Sequence, residues 1–276
     1  MNQGNGMNKR WLATGMGAWL ALLAAQGAGV KFPDPTLKPD QVIKATPGTN
    51  VYTTSKGKYD GGRFAVYVPA SYSPEKALPL VVSSHGAGGT GPKEIGGWIR
   101  LADKYGFLVV CPSYGCATAH TTLAALQGVI AQDERHLKEI MERVLKSLNV
   151  DRARVLHTGF SGGGVPTWYI AWAHPEWFTA LCFRSANFYG EKAVRFTRKS
   201  EWKTRPLYIF WGTKDNPIII AKSPTSAGGE GPAALDFLKK FQCKHLKQEI
   251  IPEGGHDSRP DLAAQWFATE VCAAGQ

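Results

Sequence analysis

The chain has 276 residues, 43% of them hydrophobic, and a formal net charge of +10 at pH 7. The apolar content excludes an intrinsically disordered chain, and the length is ordinary for one large domain. No internal repeat or low-complexity tract is present. Because the basic residues are scattered, the charge predicts weak association with an anionic envelope or polysaccharide, and no nucleic-acid partner is expected.

The first residues have the pattern of a targeting segment. Lys9 and Arg10 precede an apolar stretch over residues 11–25, and small residues follow it. This order predicts a signal peptide over residues 1–28, cleaved near Gly27 or Ala28, and hence export to the periplasm or the medium. The alternative is an uncleaved N-terminal helix that anchors the protein in a membrane, because the stretch approaches spanning length.

Two regions are predicted after this segment. Closely spaced prolines predict an extended linker over residues 29–50. From residue 51 to 276, strand-like and helix-like patterns alternate, which predicts one α/β domain with a mostly parallel central sheet. Its clearest helix is predicted over residues 131–148, where apolar residues recur at helical spacing.

A glycine-rich loop over residues 85–91 follows a strand-like run over residues 80–84. Glycines let a backbone turn its N–H groups toward a developing negative charge. Ala87 is therefore predicted to supply one N–H group of an oxyanion hole, and Gly162 the other. His85 is predicted to brace the loop.

The same loop also matches a dinucleotide-binding pattern through Gly86, Gly88 and Gly91. That alternative requires a following helix whose free N–H groups face a pyrophosphate, and Pro92 stands at this position. The next strand-like run, over residues 107–110, is not followed by an acidic residue for a ribose. The pattern is therefore not interpreted as a nucleotide site.

A sharp strand–turn–helix junction is predicted around Ser161. The run Gly159-Phe160-Ser161-Gly162-Gly163 follows an apolar strand-like stretch and precedes a helix-like one. Glycines beside the serine allow the incoming strand and the outgoing helix to approach closely, and the turn then exposes the hydroxyl. Ser161 is the predicted nucleophile.

A serine hydroxyl needs a base that takes its proton and an acid that orients the base. Asp215 lies in a turn after the apolar run 207–211, at the carboxyl end of a predicted buried strand; its alternative role is turn formation. His256 lies in a glycine-rich loop after a strand-like run, and its alternative is an exposed loop histidine. The order serine, acid, histidine agrees with a nucleophile elbow.

These motifs together resemble the α/β-hydrolase superfamily, over roughly residue 51 to the C-terminus. Within it, the chain resembles the extracellular esterases grouped with poly(3-hydroxybutyrate) depolymerases and feruloyl esterases. It is also similar to dienelactone hydrolases and carboxylesterases. The resemblance implies an α/β-hydrolase fold, a catalytic triad of Ser161, Asp215 and His256, and no cofactor.

The function expected from the triad is hydrolysis of small or polymeric carboxylic esters by an exported serine hydrolase. The ester would be of the feruloyl, acetyl or polyhydroxyalkanoate type. A peptidase or an acyltransferase with the same triad is the first alternative. A non-catalytic module that binds envelope or polysaccharide is the alternative from another class.

The expected cleft is open, because the short segment between the predicted strands ending near Arg184 and starting near Leu207 leaves no room for a large lid domain. Four aromatic residues are expected near Ser161, where they could bind an acyl or aryl group. The alternative is that they pack at the rim. They are Trp98, Tyr114, Phe188 and Tyr189.

Five cysteines are present, so at most two disulfides can form within the chain. The expected pairs are Cys111 with Cys116 and Cys243 with Cys272. Cys182, inside an apolar run, is the expected free thiol. Cys111, Cys116 and His120 could instead form half of a metal site, but no second half is found and no metal is predicted.

Overall fold

The computed structural model describes residues 42–118, 123–190, 199–220 and 231–275. The predicted signal peptide and most of the predicted linker lie outside these residues. Within them, no helix combines the length and apolar character needed to cross a membrane.

The fold is built on an eight-stranded sheet with the strand order β1-β2-β4-β3-β5-β6-β7-β8. The first two strands pair antiparallel with each other, and β2 also pairs antiparallel with β4; every other pairing is parallel. This confirms the predicted α/β class. The strands are β1 Gly48–Thr53, β2 Arg63–Val68, β3 Leu78–Ser84, β4 Leu108–Pro112, β5 Val150–Phe160, β6 Ala180–Arg184, β7 Leu207–Gly212 and β8 Leu246–Ile251.

The described helices cover both faces of the sheet. Their bounds are α1 Gly91–Glu94, α2 Ile99–Tyr105, α3 Leu123–Ser147, α4 Gly164–Pro166, α5 Pro217–Ile220, α6 Gly231–Lys240 and α7 Pro260–Trp266. Two of them continue as π-helical segments, α4 into Thr167–Ala171 and α7 into Phe267–Cys272. The helix predicted over residues 131–148 is therefore α3, which begins earlier, at Leu123.

The central strands are buried on both faces, which explains their nearly unbroken apolar sequences. In β3, Leu80 and Val82 pack in the core beneath α3, α4 and α6. Val81 faces the opposite core, which is formed with residues 95–98, α2 and α7. Side chains alternate in this way because successive residues of a strand point to opposite faces. The parallel strands end together at one edge of the sheet, and the candidate site lies there.

The sheet begins inside the range assigned to the linker. Gly48 opens β1, and Ile43 is buried, with its N–H group donating to the Ser147 hydroxyl of α3 over 2.9 Å. The prolines that predict an extended linker therefore precede a segment that packs onto the domain.

The two expected disulfides are wrong: all five cysteines are free thiols. Cys111 and Cys272 belong to the core beneath α7, whereas Cys116 and Cys243 lie in the core on the other face. Each expected pair would therefore have to cross the sheet. The expected free thiol is confirmed, since Cys182 is fully buried and burial raises the pKa of its thiol to about 12.

Candidate active site

The turn between β5 and α4 holds Ser161 in a strained backbone conformation. Its φ angle is +52°, in the left-handed region that residues with a Cβ rarely adopt. Such strain persists only where the surroundings impose it. A Cβ at Gly159 would lie 2.0 Å from the Gly163 carbonyl oxygen, so the strand and the helix meet without space for a side chain. The glycines of the motif are thus required by the close approach of two backbones.

Ser161, His256 and Asp215 form a continuous chain of hydrogen bonds. The Ser161 hydroxyl lies 2.9 Å from His256 Nε2, and His256 Nδ1 lies 2.5 Å from Asp215 Oδ1. With the proton on Nδ1, the ring donates to Asp215 and leaves Nε2 free to accept the serine proton. The three residues follow β5, β7 and β8, so the sheet edge brings together groups that are far apart in the sequence.

The Asp215 side chain is fully buried and richly hydrogen-bonded. Burial alone raises the pKa of its carboxyl group. Hydrogen bonds from His256, from the Ser185 hydroxyl and from the N–H groups of Asn216 and Gly212 outweigh burial and lower that pKa below its ordinary value. Asp215 is therefore a carboxylate across the neutral range, suited to orienting a histidine.

The backbones of Gly162 and Ala87 approach each other closely beside Ser161. A Cβ at Gly162 would lie 3.0 Å from Ala87 N and 2.1 Å from the carbonyl oxygen of Ala117. The elbow and the glycine-rich loop are thus adjacent at the serine, where the sequence predicts the two oxyanion donors. Ala117 lies in a short 3₁₀ turn, Gly115–Ala117, that closes one side of the elbow.

His85 holds the glycine-rich loop in place. Its Nδ1 lies 2.7 Å from the carbonyl oxygen of Gly86, and its Nε2 accepts the N–H of Tyr114 over 2.9 Å. Burial lowers the pKa of the imidazole, which agrees with a neutral ring that donates from Nδ1 and accepts at Nε2. Its ring also stacks on Tyr59, whose hydroxyl donates to Gly89.

Three of the four aromatic residues expected to bind substrate do not line the site. Trp98 is fully buried on the α2 side, where its indole N–H donates to Ser83 Oγ over 2.9 Å. Tyr114 is also fully buried, and Phe188 packs against Trp168 with ring centroids 4.8 Å apart. Large apolar rings gain more free energy inside the core than at a rim, and a sequence pattern does not give their direction.

Tyr189 remains the candidate aromatic contact, because its side chain is only half-buried. It follows Asn187, whose N–H group donates to the carbonyl oxygen of Ser161 over 2.9 Å. This bond places the Tyr189 segment directly beside the nucleophile.

Sequence analysis missed two residues that contact the triad. Ser185 donates its hydroxyl to Asp215 from a left-handed conformation with φ of +45°. The ring of Phe160 lies against the His256 imidazole, with centroids 4.9 Å apart. Phe160 occupies the variable position of the elbow motif, so the motif does not predict which residue stands there. Ser185 directly follows a buried strand, and this position at the carboxyl edge of the sheet could have indicated a role in the site.

No family model matches the chain. Curated relatives are similar over part of it. Feruloyl esterase B of Talaromyces funiculosus is 28% identical over 121 residues. The matched residues make up 42% of this chain, and the chain spans only 33% of that protein's length. Feruloyl esterase C of Emericella nidulans is 24% identical over 222 residues, which cover 75% of this chain and 81% of the relative.

Solved structures agree with the fold. Acetyl xylan esterase from Aspergillus awamori superposes with a TM-score of 0.58 at 17% identity, over 80% of this chain and 98% of that one. Its likeness concerns the architecture of the sheet and the flanking helices. Together with the elbow turn and the serine–histidine–aspartate chain at the carboxyl edge of the sheet, it shows that this chain has an α/β-hydrolase fold.

Proposed function

We propose that the protein is a serine esterase that hydrolyses carboxylic esters through an acyl-enzyme. The observation that carries the proposal is the hydrogen-bonded chain from Ser161 through His256 to Asp215, with the serine held on a strained elbow. No part of this arrangement calls for a cofactor, because the base, the acid and the anion-binding groups are supplied by the chain itself.

In the first half of the reaction, Ser161 Oγ attacks the ester carbonyl carbon while His256 Nε2 takes the hydroxyl proton. The carbonyl oxygen becomes an anion, which the N–H groups of Gly162 and Ala87 stabilise. Collapse of this intermediate breaks the bond to the alcohol oxygen, and His256 returns the proton to the leaving alcohol. Asp215 holds the imidazole in its orientation and stabilises the charge that the ring carries.

In the second half, a water molecule replaces the alcohol. His256 takes one water proton, the hydroxyl oxygen attacks the acyl carbon, and the same N–H groups bind the second oxyanion. The acid product leaves when His256 returns the proton to Ser161 Oγ. Both halves therefore depend on the position of one imidazole.

The substrate class that we propose is an acetyl or feruloyl ester on a carbohydrate chain. The support is the similarity to proteins named feruloyl esterase and acetylxylan esterase. The connection between β6 and β7 has only the length of residues 185–206, which is too short for a large lid domain over a polymeric substrate. Export, predicted from the N-terminal sequence, would bring the enzyme to such a polymer.

The test is hydrolysis of p-nitrophenyl acetate, methyl ferulate and acetylated xylan by the wild type and by Ser161→Ala. Ser200→Ala, at an exposed serine away from the elbow turn, is the matched control. Removal of a triad nucleophile lowers kcat by up to about 10⁶-fold, so Ser161→Ala should be inactive while the control keeps full activity.

Equal activity in Ser161→Ala and the wild type would exclude this mechanism. Activity on p-nitrophenyl acetate without release from either natural ester would retain the esterase chemistry and reject the carbohydrate-ester class. An anilide of the same acyl group, added to the series, tests the peptidase alternative.

A further inference from the structure

A fully buried arginine connects the two loops that the reaction needs. Arg184 is the last residue of β6 and has no solvent exposure. Its guanidinium makes five hydrogen bonds: Nε to Thr158 Oγ1 (2.9 Å), Nη1 to the carbonyl oxygen (3.0 Å) and hydroxyl (2.6 Å) of Ser258, and Nη2 to Ser83 Oγ (2.9 Å) and Glu94 Oε1 (2.8 Å). Arginine has five N–H donors, so every donor has a partner.

One side of this guanidinium holds the loop of the catalytic base. Ser258 lies two residues beyond His256, at the end of that loop nearest α7. The other end is fixed differently, since the Lys214 N–H donates to the carbonyl oxygen of Gly254 over 2.8 Å. The loop that carries His256 is therefore hydrogen-bonded at one end to the turn that carries Asp215 and at the other end to the buried Arg184.

The opposite side holds the loop of the oxyanion hole. Ser83 precedes this loop in β3, and Glu94 ends α1, the helix that follows it. The Ser83 hydroxyl donates to Glu94 Oε1 over 2.7 Å, which closes a triangle with Arg184. Trp98 covers the triangle, with the guanidinium carbon 5.5 Å from its ring centroid.

A buried ion pair is weak evidence for stability, because the desolvation of both charges opposes their attraction. The arrangement of partners is better explained by geometry. A planar guanidinium fixes several acceptors at set angles, which an ammonium group cannot do. The acceptors here come from β3, α1, β5 and the loop that carries His256. The first two flank the loop of the predicted oxyanion hole, β5 leads to the nucleophile, and the His256 loop carries the base.

We propose that Arg184 is a positioning residue for ester hydrolysis: through Ser258 on one side and Ser83 and Glu94 on the other, it sets the His256 ring relative to Ser161 and the oxyanion hole. The inference rests on the proposed function. Arg184 does not touch the substrate; it acts through the placement of His256. Because His256 takes part in both halves of the reaction, a change in its position should lower kcat and leave KM nearly unchanged.

The test compares Ser258→Ala, Arg184→Met and Arg143→Met with the wild type on p-nitrophenyl acetate. Arg143 is the matched control, since it is also buried and bonds the Thr53 carbonyl oxygen in β1, a strand at the edge of the sheet. Misplacement of a reacting group by about 1 Å costs about 10²-fold, which is the loss in kcat expected for Arg184→Met. Ser258→Ala removes one of two bonds to the base loop and should lose less, with little change in Tm.

A spectroscopic readout separates positioning from loss of fold. In a boronate complex of the wild type, the proton between His256 and Asp215 should give a downfield ¹H resonance, which Ser258→Ala should shift or broaden. Arg143→Met should lower Tm without changing that resonance or kcat.

Wild-type kcat in a folded Arg184→Met variant, or an equal loss of kcat in Arg143→Met, would overturn the inference. If Arg184→Met does not fold, Ser258→Ala decides alone: a lower kcat at constant KM supports the role, and an unchanged kcat removes it. An inactive wild type would instead count against the esterase function itself.

Discussion

Replacement of Gly162 by alanine tests the oxyanion hole with one methyl group. The new Cβ would lie 2.1 Å from the carbonyl oxygen of Ala117, although such contacts are essentially never shorter than 3.0 Å. Backbone must therefore move by about 1 Å, a displacement that can cost about 10²-fold in rate. If the Gly162 N–H leaves the oxyanion, the loss in kcat is about 10²–10³-fold, or about 2.7–4 kcal/mol of barrier.

The assay is steady-state hydrolysis of p-nitrophenyl acetate, with Tm measured on the same samples. The expected result is a fall in kcat with KM nearly constant, since the oxyanion is absent from the bound ester and develops only as the tetrahedral intermediate forms. Gly128→Ala in α3 is the control, because nothing lies within 4 Å of its Cβ. It should keep full activity and gain about 1 kcal/mol from helix propensity. A folded Gly162→Ala variant with wild-type kcat would refute the placement of the oxyanion hole.

Three further results are expected. Asp215→Asn should lower kcat by about 10⁴-fold with the fold intact, as measured by kinetics beside a circular dichroism spectrum. Tyr189→Ala should raise KM for methyl ferulate more than for an acetyl ester, and equal effects on both would remove it from the substrate contacts. His174 should contribute to stability in a pH-dependent way: burial lowers its pKa, but hydrogen bonds to Glu134 and Glu176 outweigh burial and raise it. The contribution is complete below the unfolded pKa of 6.5 and is lost as pH rises through the folded pKa. Urea unfolding of His174→Gln should therefore differ most from the wild type at acidic pH, and a constant difference across pH would contradict this.

The parts of the site that could be predicted from sequence are those in which the backbone imposes a residue type. Gly159 and Gly163 are glycines because two backbones meet there, and that requirement is visible as a motif. Asp215 and His256 could be placed because each follows a recognisable strand, and parallel strands end at a common edge. These rules concern position along the chain, which a sequence contains.

The parts that could not be predicted depend on which way a side chain points. Trp98 and Tyr114 are near the active-site loops in sequence, yet both point into the core. Cys111 and Cys116 are also neighbours in sequence but face opposite sides of the sheet. The position of Arg184 is the exception, because a charged residue at the end of an apolar strand-like run must find several partners when it is buried.

The turn that carries Asp215 contacts the loop that carries His256, and this contact has a consequence for motion. A Cβ at Gly212 would lie 2.0 Å from the carbonyl oxygen of Gly254, and the Glu253 N–H donates to Thr213 Oγ1 over 2.8 Å. The segments that carry the aspartate and the histidine are thus in direct backbone contact, whereas the serine reaches the histidine through a single side-chain hydrogen bond. Any distortion should open the gap between His256 and Ser161 before it separates His256 from Asp215. Resting conformers of this enzyme would then keep an oriented imidazole and lose only its reach to the nucleophile.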